Sequence, residues 1–286
     1  MEKHLMITVS EDKSCLYGAR FAGSFFSDKQ NIKATLFNTA AKAPALWGNE
    51  RSLEADIHQQ EQLKQIYTRI RLSLENAKKV CTDLGFPPDN VNAKITGRIF
   101  SKVADIIQEG EKGLYDAVIL GRRGLTMVEK LFDESVSDEL FQQPFTFPLW
   151  LCRSVDPARK NLLLYVDGSE TSYRMADHVG FILNGEKKHR VTIMIMDEKK
   201  NSDRILAKAI ERLIYNDFPE ELIDAWIVEK GNLAKLILEE VDKKRYAVVA
   251  LGRSGGESNP LKRIFKGEVC YALFKEIEGA ALWVCY

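Results

Sequence analysis

Short apolar runs recur along the chain, separated by stretches in which apolar residues return every three or four positions. Runs near Leu5–Val9, Lys33–Asn38, Val91–Thr96, Ala117–Leu120 and Phe147–Cys152 read as strands, and a second set follows near Leu162–Val166, Arg190–Met196, Leu222–Val228, Ala247–Leu251 and Ala280–Cys285. Several, such as Leu162-Leu163-Leu164 and Ala117-Val118-Ile119-Leu120, are apolar throughout rather than alternating. That pattern belongs to strands buried on both faces, hence to a parallel sheet covered by helices. The intervening stretches Lys64–Leu84, Phe100–Glu111, Arg204–Tyr215 and Leu233–Lys243 carry a helical period. The alternation predicts an α/β fold of two Rossmann-like, doubly wound, parallel five-stranded sheets flanked by helices, with ligands taken at the carboxyl ends of strands.

The chain is built twice. Tyr115-Asp116-Ala117-Val118-Ile119-Leu120-Gly121-Arg122 returns as Tyr246-Ala247-Val248-Val249-Ala250-Leu251-Gly252-Arg253, and Leu149-Trp150-Leu151-Cys152 as Leu282-Trp283-Val284-Cys285. The offset is 131 residues at the glycines, 133 at the tryptophans and 157 between Leu5 and Leu162, so the first copy carries an early extra segment of about 24 residues. A period this long means two domains, 1–156 and 157–286, joined by the short polar stretch Arg153–Arg159 with its Pro157. Within the insertion at 40–60, the stretch Ala40–Trp47 has no period, contains Pro44, and reads as a loop able to act as a lid.

Composition narrows the function. Lys and Arg together number 41, as do Asp and Glu, so no net charge draws the chain to nucleic acid or a membrane surface. No apolar run reaches the roughly 20 residues that a membrane helix requires. The start Met1-Glu2-Lys3-His4 lacks a leader-like apolar segment, which predicts a cytoplasmic protein. Five scattered cysteines and four isolated histidines offer no metal-ligand spacing and no nucleophile beside a base, so neither a metal nor a catalytic group is expected.

Two places carry candidate chemistry. Gly121-Arg122-Arg123-Gly124 leaves one strand and Gly252-Arg253-Ser254-Gly255 leaves its counterpart; further on stand Glu134 and Ser135 in the first copy, Gly267 and Glu268 in the second. Glycines between a strand and a helix let backbone N–H groups approach a phosphate, although a tight turn is their commoner meaning. Val166-Asp167-Gly168-Ser169 ends the first strand of copy two. Asp167 there is able to accept from an adenine amino group or a ribose hydroxyl, and Asp-Gly-Ser is equally turn and N-cap chemistry.

Strand–Val-Asp-Gly-Ser, then Gly-x-x-Gly, a later glycine and a closing strand behind a proline resemble the universal stress protein family, once per half. The resemblance implies a cytosolic stress-response protein without an established catalytic site, dimerising through its last strand, some members of which bind ATP or another adenine nucleotide. It assigns the ligand to Asp167, Gly168, Gly252, Arg253, Gly255 and Gly267 in the second half, and to Gly121, Arg122, Gly124 and Ser135 in the first. Departures from the pattern weaken both sites. Ser10 stands at the aspartate position of copy one, and Glu134 and Glu268 replace a glycine and a Ser/Thr. A carboxylate about 4 Å from a triphosphate charge costs on the order of a few kcal/mol, more than the roughly 0.5–1.5 kcal/mol of one hydrogen bond. Arg122, Arg123 and Arg253 partly offset this. The reading is therefore weak nucleotide binding, in domain 2 if anywhere, with a nucleotide-free protein-interaction scaffold as the alternative and an ATPase or flavin-linked enzyme behind both. Protein partners are left unidentified. Trp150 and Trp283 lie on terminal strands, which need cover if they are sheet edges, and an antiparallel pairing of the two within one chain is expected.

Overall fold

In the computed structural model, which describes residues 1–10, 16–40, 53–98, 102–121, 146–196, 201–252 and 268–285, both copies follow the same order through their fourth strand and end on a fifth. The first runs β1 (Lys3–Thr8), α1 (Tyr17–Phe25), β2 (Ile32–Ala40), α2 (Leu53–Asp83), β3 (Val91–Gly97), α3 (Lys102–Lys112), β4 (Ala117–Gly121) and β5 (Leu149–Cys152). The second runs β6 (Lys160–Tyr165), α4 (Glu170–Leu183), β7 (Val191–Met196), α5 (Ser202–Tyr215), β8 (Ile223–Val228), α6 (Leu233–Lys244), β9 (Tyr246–Gly252), α7 (Glu268–Glu276) and β10 (Ala281–Cys285). The continuously apolar runs are the central strands: Ala117 to Ile119 and Leu162 to Leu164 are 0% exposed. The early insertion feeds α2, which begins at Leu53 and covers β2 and β3. Of the loop read at Ala40–Trp47, Ala40 ends β2 and the rest lies outside the described residues.

The sheet order is β3-β2-β1-β4-β5-β10-β9-β6-β7-β8, so the two five-stranded sheets of the sequence reading are one sheet of ten. All neighbours are parallel except β5 and β10, which meet antiparallel at the centre. Trp150 and Trp283 are register partners there, both 0% exposed, with rings stacked 4.0 Å apart at 5°. Each would-be edge covers the other, and offset aromatic stacking adds about 0.5–1.5 kcal/mol to the burial.

A second set of contacts locks the copies together. The carbonyls at the end of α1 lack helical partners, as in any helix. The α4–β7 connection supplies them: Lys188 Nζ donates to Ser24 O at 2.6 Å, and His189 Nε2 to Phe25 O at 2.9 Å. Asn161 N–H donates to His189 Nδ1, which fixes the proton on Nε2. Buried Glu186 accepts from Ser27 N–H at 2.8 Å. The stretch between β5 and β6 is clamped rather than loose, since Asp156 pairs with Arg245 and Arg159 with Asp242.

Candidate functional site

The order of each half reverses beside its first strand, with β1 between β2 and β4 and β6 between β7 and β9. The carboxyl ends of these strands are where such sheets take ligands. In the second half, Gly168 leaves β6 at φ +84°, a left-handed conformation that glycine adopts without a Cβ penalty. Asp167 Oδ1 accepts from Ser169 N–H at 2.9 Å and from Ser169 Oγ–H at 2.6 Å. Ser169 in turn caps α4, accepting from Ser172 N–H. Both sequence meanings of Asp-Gly-Ser thus fall on one loop: its turn chemistry is formed, and Asp167 also faces a cleft.

That cleft has a volume of about 630 Å³ and lies over the ends of β6 and β7. Tyr165, Tyr173 and Met196 give it apolar surface, and Asp167, Glu170, Arg204 and Lys208 give it charge. Lys208 Nζ sits 3.9 Å over the Tyr173 ring and 3.0 Å from Glu170, whose carboxyl it holds below the usual range. Arg204 makes no ion pair among the described residues. Gly252 has a packing role. A Cβ there would lie 2.2 Å from Ser172 N, so the first turn of α4 rests directly on the end of β9.

The first half differs. Aligning Leu5 with Leu162 puts Ser10 at Asp167, Asn38 at Ile195 and Thr39 at Met196. Asn38 and Thr39 are 5% and 3% exposed, and Asn38 Nδ2, Thr39 Oγ1, Ser10 Oγ and Arg98 Nε are buried without a hydrogen bond among the described residues. A buried polar atom left so costs about 1–3 kcal/mol. Sequence reading missed these residues because single polar positions at strand ends carry no motif. It missed Arg204 and Lys208 because α5 brings them in from beyond β7.

Of the residues assigned from sequence, Asp167 and Gly168 share the cleft, Gly252 lies under α4, and Gly121 ends β4. Arg122, Gly124, Ser135, Arg253, Gly255 and Gly267 lie outside the described residues, as does Glu134. Among the described residues no group of three or more His, Cys, Asp or Glu is placed to hold a metal ion, and no helix is long and apolar enough to cross a membrane. Cys81, Cys152, Cys270 and Cys285 are buried free thiols, and burial pushes Cys81 up to about 12.

Neither a sequence-family model nor a curated protein matches the chain. Solved structures do. A universal stress protein from Archaeoglobus fulgidus DSM 4304 superposes with a TM-score of 0.61 at 14% identity, over 99% of this chain and 95% of that one. A protein from Pseudomonas aeruginosa UCBPP-PA14, provisionally described as a universal stress protein, gives a TM-score of 0.51 at 13% identity over 99% and 93% of the two chains. A functionally unknown protein from Pseudomonas aeruginosa PAO1 gives 0.50 at 13% identity over 99% and 92%. With two copies of one strand order joined edge to edge along its whole length, this chain has the tandem universal stress protein fold.

Proposed function

We infer that the chain is a non-catalytic, cytoplasmic stress-response protein of the universal stress protein family, divided into units 1–156 and 157–286, that binds an adenine nucleotide weakly in its second half. The observation that carries this reading is the cleft of about 630 Å³ at the strand ends, where an acceptor, aromatic surface and two cations converge. Asp167 would accept from the base or the ribose, the tyrosines and Met196 would cover apolar faces, and Arg204 with Lys208 would meet phosphate. The affinity stays low because Asp167 and Glu170 place two negative charges in the same cleft.

A nucleotide-free interaction scaffold is the second reading, favoured by Gly252. Its missing side chain makes room for α4, so the glycine has a sufficient reason without a phosphate. Denaturing the purified protein and analysing the supernatant for adenine nucleotide separates the two. Recovery of nucleotide from the wild type, and its loss from Asp167→Asn, supports binding; Asn keeps an acceptor for the Ser169 turn, so the fold is spared. No nucleotide from either protein favours the scaffold.

A further inference from the structure

The antiparallel junction creates a cavity that neither half has alone. It holds about 410 Å³ and is lined from the first half by Glu111, Asp116 and Phe147 and from the second by Arg174, Asp177, His178 and Phe181. It opens beside the amino ends of β4 and β5, away from the cleft over β6 and β7.

His178 sets its chemistry. The residue is only 8% exposed, and its Nε2 accepts the Trp150 indole N–H at 3.1 Å. The ring proton therefore sits on Nδ1, and among the described residues nothing accepts it. His178 lines this cavity, so its remaining ring N–H is available to a ligand acceptor atom there. The remaining charge is unbalanced. Glu111 is engaged by the Thr146 N–H and hydroxyl, Asp116 accepts from His4 N–H with one oxygen, and Asp177 accepts from Asn216 with one. Against these three carboxylates the described lining holds one guanidinium, Arg174, and beside it the Lys3 ammonium lies 6.0 Å from the Phe181 ring centroid and acts on Asp116, so the charge around the cavity stays net acidic. Phe147, Phe181 and the 86% exposed Leu114 supply apolar surface from the interior to the mouth.

We propose that this inter-half cavity binds a small organic cation with an apolar body and a hydrogen-bond acceptor, of the hydroxyaryl-amine class. The ammonium lies toward Asp116 and Asp177, the ring between the two phenylalanines, and the acceptor oxygen toward His178. Because both copies line it, an occupant ties the halves together.

Calorimetric titration with tyramine tests this, with 4-hydroxyphenylacetate as the anionic analogue and 2-phenylethylamine as the analogue without the oxygen. Tyramine is expected to bind saturably at one site, with the acetate roughly tenfold or more weaker and phenylethylamine a few-fold weaker. Asp116→Asn with Asp177→Asn keeps both backbone and amide hydrogen bonds and is expected to weaken tyramine roughly tenfold. His178→Phe, which copies Phe21 at the aligned position, is expected to erase the difference between tyramine and phenylethylamine. No saturable tyramine binding, equal binding of the acetate, or tyramine binding unchanged in the doubly substituted protein would overturn the proposal. The last outcome would place the amine elsewhere, and the double variant decides the matter even if His178→Phe fails to fold.

Discussion

The two tryptophans at the seam occupy equivalent positions and live differently. Both meet the edge of Phe21, but Trp150 donates its indole N–H to His178, whereas the Trp283 N–H has no acceptor among the described residues. The crevices diverge in the opposite sense. The second half satisfies its strand-end Asp167 through Ser169 and backs it with apolar Ile195 and Met196, while the first buries Asn38, Thr39 and Ser10 unpaired. The two copies therefore share strand order and seam but differ in their polar interiors. Packing tolerates few alternatives; a lone polar atom at a strand end can be carried for about 1–3 kcal/mol.

The largest test of that comparison is to break the seam. Replacing Trp150 or Trp283 with Ala is expected to cost about 3–5 kcal/mol in urea unfolding, and equal losses from the two would show that the stack outweighs the His178 bond. Acid should follow. Burial holds His178 down at about 3, while in the unfolded chain it takes a proton near 6.5. Between those values the unfolded state binds more protons, so this contribution is complete above about pH 6.5 and is lost as pH falls toward 3. His189 is lowered in the same direction by burial. By pH 4.5 roughly 3 kcal/mol of it is lost, and His178→Phe should flatten the pH dependence of the unfolding free energy by about that amount.

Smaller effects sharpen the contrast between the crevices. Gly252→Ala places a methyl against the backbone of α4 and is expected to cost about 1–3 kcal/mol. Ser169→Ala removes the α4 cap for about 1 kcal/mol. Thr39→Val, by contrast, removes a buried unpaired hydroxyl and should leave stability unchanged or raise it by up to about 1 kcal/mol. Thermal and urea unfolding of the three variants would measure all of these.

Most of the architecture was legible in the sequence because its strands are buried on both faces, and a run such as Leu162-Leu163-Leu164 admits few other readings. The Trp150–Trp283 pairing followed from the need to cover two edges. Helix α2 was underestimated: Gln59, Gln60, Glu61 and Gln62 form no apolar stripe, so periodicity finds only its packed end beyond Lys64. Helix α1 carries two glycines in nine residues and is held by packing against the sheet rather than by propensity. At the site, Asp167-Gly168-Ser169 announced its turn, whereas Arg204 and Lys208 reach the cleft from another helix. His178 looked isolated because its partner, Trp150, lies in the other copy.

Calorimetry with ATP on the wild type and on Arg204→Glu decides whether ligand binding resides in the second-half cleft. Weak saturable binding to the wild type, at about one site, is expected, and the charge reversal should abolish it while leaving unfolding unchanged. Binding of equal strength to both proteins, or none to the wild type, would place no ligand in this cleft.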